Sequence, residues 1–197
     1  MNLPPRYARC TFDNFDASEN AIARDTALAL VAGRITGLLL LGSTGIGKTH
    51  LMAAIGQAME RAEGYDEIID VPGHRPQAVK IAAVIPHYQS IYDLACVIRR
   101  PFEERNGADP ERDCCVAHVL LLDDLGAERL VDNAQIIVEK VIETRYAHQL
   151  PTIITSNLTL EAIVERYGNR TLSRLTEGGR IVTMQGRDRR PEMGRQA

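Results

Sequence analysis

Gly42-Ser43-Thr44-Gly45-Ile46-Gly47-Lys48-Thr49 is the stretch whose reading decides the fold. Its spacing is Gly, four residues, then Gly-Lys-Thr. A glycine-rich turn lets successive backbone N–H groups curl around a phosphate without Cβ interference, and a helix that starts there points its positive dipole end at the same anion. Lys48 would neutralise the β- and γ-phosphates, and Thr49 would offer its hydroxyl to a bridging Mg²⁺. The flanks fit this reading. The apolar run 38–41 before the loop has the character of a buried strand, and Leu51, Ile55, Ala58, Met59 and Ala62 after it recur at helical spacing.

The chain has 197 residues, 45% of them hydrophobic, which suits one α/β domain with a substantial core. No run of 18 apolar residues occurs, and the start Met1-Asn2-Leu3-Pro4-Pro5 is not a signal sequence, so a cytoplasmic protein with no membrane partner is expected. Cys10, Cys96, Cys114 and Cys115 contain no C-x-x-C pair, and reduced thiols are the expectation. A net charge of −3 excludes a uniformly basic coat for nucleic acid. Only Lys48, Lys80 and Lys140 are lysines among 23 basic residues, so 20 are arginine, and a local arginine patch stays open.

In chain order, residues 1–16 form an irregular lead with Tyr7, Phe12 and Phe15, expected to pack on the domain that follows. Residues 18–32 read as a helix capped by Ser18 and closed by Gly33. After the phosphate loop and its helix, residues 63–77 read as a long loop, 79–85 as a second strand, 88–100 as a helix and 103–113 as another polar loop. Strands follow at 116–123, 151–155 and 181–184, with helices at 133–146, 160–167 and 170–175. Strands alternating with helices after a phosphate loop imply a three-layer α/β/α sandwich with a parallel sheet. The expected division is a lead 1–16, a nucleotide-binding domain 17–186 and a polar tail 187–197.

Three further groups carry chemistry. Val119-Leu120-Leu121-Leu122-Asp123-Asp124 is an apolar strand ending in two acids; Asp123 is assigned to the metal and Asp124 to the attacking water, with Glu128 a second candidate base. Solvated acids at a strand end are the plainer alternative. Asn157, after Ile153-Ile154-Thr155-Ser156, reaches the sheet end at which α/β proteins bind ligands, and turn chemistry explains it equally. Arg170 and Arg174 lie four apart on one helical face, where ordinary surface arginines also stand.

Together these segments resemble a known family. Leu3-Pro4-Pro5-Arg6-Tyr7, Thr11-Phe12-Asp13-Asn14-Phe15, the loop continued by Thr49-His50-Leu51, Leu122-Asp123-Asp124-Leu125-Gly126-Ala127-Glu128, Thr155-Ser156-Asn157 and the stretch from Gly168 to Leu175 resemble the DnaC/DnaI helicase loaders and the related IstB transposition ATPases of the AAA+ initiator clade. The resemblance implies a five-stranded parallel sheet in the order 5-1-4-3-2; as a departure from many AAA+ proteins no helical lid domain is expected, because the sequence ends shortly after Asp188-Arg189-Arg190. It implies a Walker A motif at Gly42, Ser43, Thr44, Gly45, Ile46, Gly47, Lys48 and Thr49, with His50 next to it in the nucleotide-contacting set. It further implies a Walker B motif at Asp123 and Asp124, sensor 1 at Asn157, and an arginine finger at Arg174 with Arg170 in support. The implied cofactors are ATP or ADP with Mg²⁺. The implied partners are a second copy of the chain, whose ATP site Arg174 completes, a replicative helicase, and single-stranded DNA.

The departures shape the alternatives. The sequence starts at the lead that in loaders follows a helicase-binding domain, and residues 63–77 are longer than expected. Residues 88–105, with Arg99, Arg100 and Arg105, correspond to the segment that grips DNA in this clade, though a solvated helix end reads as well. Asp124 stands where Glu is usual, so hydrolysis is expected to be slow. An IstB-like helper that binds duplex DNA and a non-catalytic nucleotide-dependent adaptor are the rival functions.

Overall fold

The computed structural model describes residues 1–60, 66–69, 77–80, 84–127 and 134–189. In chain order these form α1 (Ala21–Val31), β1 (Gly37–Leu41), α2 (Lys48–Glu60), an antiparallel hairpin of β2 (Asp66–Ile69) and β3 (Gln77–Lys80), β4 (Pro86–Ser90), α3 (Ile91–Ile98), α4 (Pro110–Val116), β5 (Val119–Leu125), α5 (Ala134–Ala147), β6 (Thr152–Ser156), α6 (Leu160–Thr176) and β7 (Gly179–Thr183). The main sheet is parallel and ordered β4-β5-β6-β1-β7. Numbered within that sheet alone, this is the expected 5-1-4-3-2.

Side chains alternate across a strand, so one run of leucines feeds two cores. Leu38 and Leu40 of β1 pack with Ala27 and Leu30 of α1 and with Leu51 and Ile55 of α2. Leu39 and Leu41 pack with Leu94 of α3, Val141 of α5 and Ile163 of α6. The lead joins the first core through Phe15, with Leu3, Tyr7 and Phe12 against it.

Several boundaries differ from the expectation. The second strand of the sheet is residues 86–90 rather than 79–85. The run 79–85 is the more apolar, but β4 is an edge strand, and an edge tolerates His87 and Gln89 and a leading Pro86. The Asn2 side chain serves that open edge as a neighbouring strand would, donating to Tyr88 O at 2.8 Å and accepting from Tyr88 N at 2.7 Å. The helix expected from 88 therefore starts at Ile91. The stretch 63–77, read as loop, contains β2. The polar stretch 103–113 contains the start of α4, which Asp109 caps by accepting from Arg112 N at 3.1 Å, with Pro110 in the first turn. That moves the strand expected at 116–123 to 119–125.

Ser18 does not cap α1. Asn20 holds the cap position and spends its side chain on Gln185, donating to its carbonyl at 2.8 Å and accepting from its N–H at 2.9 Å. The two helices expected at 160–167 and 170–175 are both present, running together as α6 with a break at Gly168, whose φ of 79° is left-handed.

Arg145 places a charge in the core, far from the phosphate loop. Arg145 of α5 is 1% exposed, and among the described residues none of its hydrogen bonds goes to a carboxylate. Its guanidinium instead donates to Thr152 Oγ1 at 2.8 Å and to the carbonyls of Cys114 at 2.8 Å, Ala117 at 2.7 Å and Pro151 at 2.7 Å. Burial pulls its pKa down to about 10, and the group stays charged at neutral pH. Arg145→Met keeps the volume but takes the guanidinium donor from the Cys114 and Ala117 carbonyls and leaves Pro151 O with the Leu120 N–H alone. The expected loss is about 3 kcal/mol, read as a fall in Tm of about 6–12 °C in a thermal melt.

Candidate nucleotide-binding site

The loop between β1 and α2 needs conformations that side chains resist. Gly42 has a φ of 139°, and a Cβ there would lie 2.5 Å from Met184 O; Gly45 has a φ of 82°, and a Cβ there would collide with the Asp188 carboxylate. Lys48, 5% exposed, folds its ammonium over this turn, donating to Gly42 O at 2.8 Å, Ser43 O at 2.7 Å and Asn157 Oδ1 at 2.7 Å.

Behind the loop, β5 delivers the two acids. Asp123 is 3% exposed, and three hydroxyls donate to it: Thr49 Oγ1 to Oδ1 at 3.0 Å, Thr155 Oγ1 to Oδ1 at 2.6 Å, and Tyr88 Oη to Oδ2 at 2.9 Å. Burial pushes its carboxyl above the usual range, and the hydroxyls offset this only in part. The same burial, with the Asp123 charge beside it, pushes the Tyr88 phenol far up, so Tyr88 remains a donor. β5 bulges here: Leu122 pairs with Ile154 but Leu125 with Ser156, and Asp124 takes a left-handed φ of 59°. Its N–H donates to Thr155 Oγ1 at 2.9 Å, which turns the carboxylate outward to accept from Asn157 Nδ2 at 3.1 Å.

The lead closes the other side. A cleft of about 990 Å³ is lined by Tyr7, Phe15, Gly45, Lys48, Asp124 and Arg189 among others. His50 borders it but faces the lead: Nε2 lies 3.2 Å from Thr11 O and 2.9 Å from Asn14 Oδ1, and the ring sits 5.6 Å from that of Phe15. Burial lowers its pKa, which keeps the imidazole neutral. Residues 187–189 run over the loop: Arg189 N donates to Gly45 O at 3.1 Å, and its guanidinium pairs with Asp16 at 2.9 Å. Glu128 and Arg190 lie outside the described residues.

Thr49 and Asp123 present hard oxygen donors in direct contact, a set that suits Mg²⁺. Among the described residues no group of three or more His, Cys, Asp or Glu side chains forms a metal cage. An ion that takes further ligands from phosphates needs none.

Lys48, Thr49, Asp123, Asp124 and Asn157 are thus brought together, and Arg174 is not. Arg174 borders a second hollow of about 490 Å³ with Thr36, Gly37 and Thr152, at the ends of β1 and β6 opposite the phosphate loop. The length of β1, about 15 Å, separates it from the loop of its own chain. Arg105 does not face outward either; it donates to Ile98 O at 2.7 Å and Arg100 O at 3.0 Å, closing the end of α3, while Arg99 and Arg100 are exposed. Tyr88, expected in a helix but placed in β4, and Thr155, which no local pattern marks, join the site only through the fold, as donors to Asp123.

Residues 6–84 match the family described as the bacterial DnaA ATPase domain. Over 186 residues the chain is 21% identical to the replicative helicase loader DnaC of Escherichia coli K12, covering 91% of this chain and 68% of that one. Its fold superposes on the crystal structures of the DnaC helicase loader and of DnaI with TM-scores of 0.73 and 0.74, at 23% and 22% identity, over 92% and 96% of this chain and 100% and 95% of theirs. The chain is DnaC/DnaI-like. It has the fold of an AAA+ P-loop ATPase. It is also 26% identical over 198 residues to YdaV of the same strain, covering 97% of this chain and 72% of that one. To the putative ATP-binding protein of insertion sequence IS5376 from Geobacillus stearothermophilus it is 30% identical over 172 residues, covering 84% of this chain but 59% of that protein's length.

Burial raises the Asp123 pKa above its ordinary 3.8, so protonation favours the native state. The penalty for ionising it is absent below the unfolded pKa and complete above the raised one. Asp123→Asn without nucleotide is therefore expected to melt above wild type at pH 7, the gain vanishing as the pH falls to about 4. Melting curves across that range check the sign.

Proposed function

We propose that this chain binds ATP with Mg²⁺ in the cleft around Gly42, Ser43, Thr44, Gly45, Ile46, Gly47, Lys48, Thr49 and His50, and hydrolyses it. It would act in DNA replication in the manner of a helicase loader, assembling with further copies on single-stranded DNA or on a replicative helicase in the cytoplasm. The observation that carries this reading is the contact chain Lys48–Asn157–Asp124 at the mouth of the loop, with Thr49 meeting Asp123 directly behind it.

Each residue then has a task. The loop N–H groups and the start of α2 hold the phosphates, and Lys48 offsets their charge. Thr49 and Asp123 hold Mg²⁺, which when bound neutralises the charge that develops on the phosphate oxygens. Asp124 has one carboxylate oxygen on Asn157 and the other available to orient the attacking water. The bond from the γ-phosphorus to the β–γ bridging oxygen breaks as the water oxygen bonds to phosphorus. The position of Arg174, a strand length from its own loop, supports a role in the site of a neighbouring copy, where its planar cation would face the transferring phosphoryl group.

The likeness to the insertion-sequence protein favours a second reading, a transposition helper that binds duplex DNA. Competition between single-stranded and duplex DNA of one sequence, with ATP present, separates the two. Lys48→Ala is expected to abolish nucleotide binding, and unchanged ATP affinity would sink the site. Arg174→Ala should bind ATP normally and lose about 10³-fold or more in hydrolysis. Mixing the two variants should restore part of the rate, because one copy supplies the arginine and the other the loop. Hydrolysis by Arg174→Ala that matches wild type at every protein concentration removes the shared-site reading, and ATP that survives hours with wild type points to an adaptor.

A further inference from the structure

Arg174 and Arg170 do not stand alone on their helix face. Glu143 of α5 lies opposite both and gives each a separate carboxylate oxygen: Oε2 pairs with Arg174 Nη1, and Oε1 lies 3.5 Å from Arg170 Nη2. The two arginines differ in setting. The Arg174 side chain is 18% exposed, with its guanidinium carbon 5.4 Å from the centre of the Tyr146 ring, whereas the Arg170 side chain is 76% exposed. Tyr146 is itself fixed, its hydroxyl donating to Glu177 Oε2 at 2.6 Å.

We infer that Glu143 is a latch for Arg174, holding its guanidinium against α5 in the lone chain and releasing it to a nucleotide phosphate of a neighbouring copy, while Arg170 retains the carboxylate. This rests on the shared-site reading above. A triphosphate outcompetes one half-exposed carboxylate for a guanidinium because it offers more charge and more acceptor oxygens in the same fork geometry. The exchange has an obstacle, since a carboxylate that loses its cation is left at the forming interface without a partner. Arg170, already in reach of the other oxygen, removes that obstacle. Its place one helical turn before Arg174 follows from this: both reach one acid, and only the inner one has to leave it.

The latch therefore sets how much protein is needed for assembly. Mg²⁺-ATP hydrolysis and sedimentation are followed against protein concentration for wild type, Glu143→Gln, Arg170→Ala, the pair of changes together and Arg174→Ala. Glu143→Gln is expected to lower the half-maximal concentration about three- to fivefold. Arg170→Ala is expected to raise it by a similar factor, and to have no effect in the Glu143→Gln background, where there is no charge to retain. An unchanged or raised half-maximal concentration in Glu143→Gln overturns the latch. So does an Arg170→Ala effect that persists beside Glu143→Gln, or a Glu143→Gln chain that melts lower and hydrolyses more slowly at every concentration alike. Arg174→Ala tells the two failures apart: if it is inactive while Glu143→Gln moves nothing, the latch alone is wrong. If it hydrolyses like wild type, the shared site is wrong and the latch goes with it.

Discussion

The carboxylate of Asp123 is the constraint on which the rest of the structure depends. An ionised acid at 3% exposure has lost its water and must regain equivalent donors from the protein. It regains them from three hydroxyls on three elements: Thr49 of α2, Tyr88 of β4 and Thr155 of β6. Satisfying one acid at the end of β5 thereby fixes the helix after the phosphate loop and both neighbouring strands relative to it. Thr155 does more, since it also accepts the Asp124 N–H and so supports the bulge that turns the second acid toward Asn157. Two adjacent acids come to face different ways, one inward among hydroxyls and one outward at the cleft.

A matching device holds the other end of the sheet. Arg145 meets the cost of burying a guanidinium with backbone carbonyls and one hydroxyl instead of an opposing charge. Its acceptors lie in α4, on the turn before β5 and at the start of β6, so it fastens the two strands whose far ends carry Asp123, Thr155 and Asn157. It also borders the hollow that contains Arg174. The phosphate-facing and arginine-bearing ends of the molecule are therefore each organised around a buried charged group, and the parallel strands between them keep the two a fixed distance apart.

The ends of the described chain meet over the cleft. Asn20 bridges to Gln185, Arg189 pairs with Asp16, and Arg189 N reaches Gly45 O. One wall of the site is thus made from the lead and from residues 187–189, segments with little regular structure. Irregular backbone suits this place, because a cleft wall needs donors and acceptors aimed inward rather than paired along a ladder.

The sequence by itself determined the phosphate loop, four of the five parallel strands, the break of α6 at Gly168 and the arrival of Asp123, Asp124 and Asn157 at the sheet edge that carries Lys48. These follow from local signals: glycine spacing, unbroken apolar runs and helical periodicity dictate local backbone, and a parallel sheet brings its strand ends to one edge. Only the tertiary structure decided that β4 is the polar run 86–90, because an edge position relaxes the demand for apolar residues. It alone decided that Tyr88 and Thr155 solvate Asp123, that Arg145 is buried, and that Glu143 holds Arg170 and Arg174. Those are contacts between residues 6 to 35 positions apart, and no local pattern of residue types encodes which hydroxyl or carboxylate a folded chain will place beside a charge.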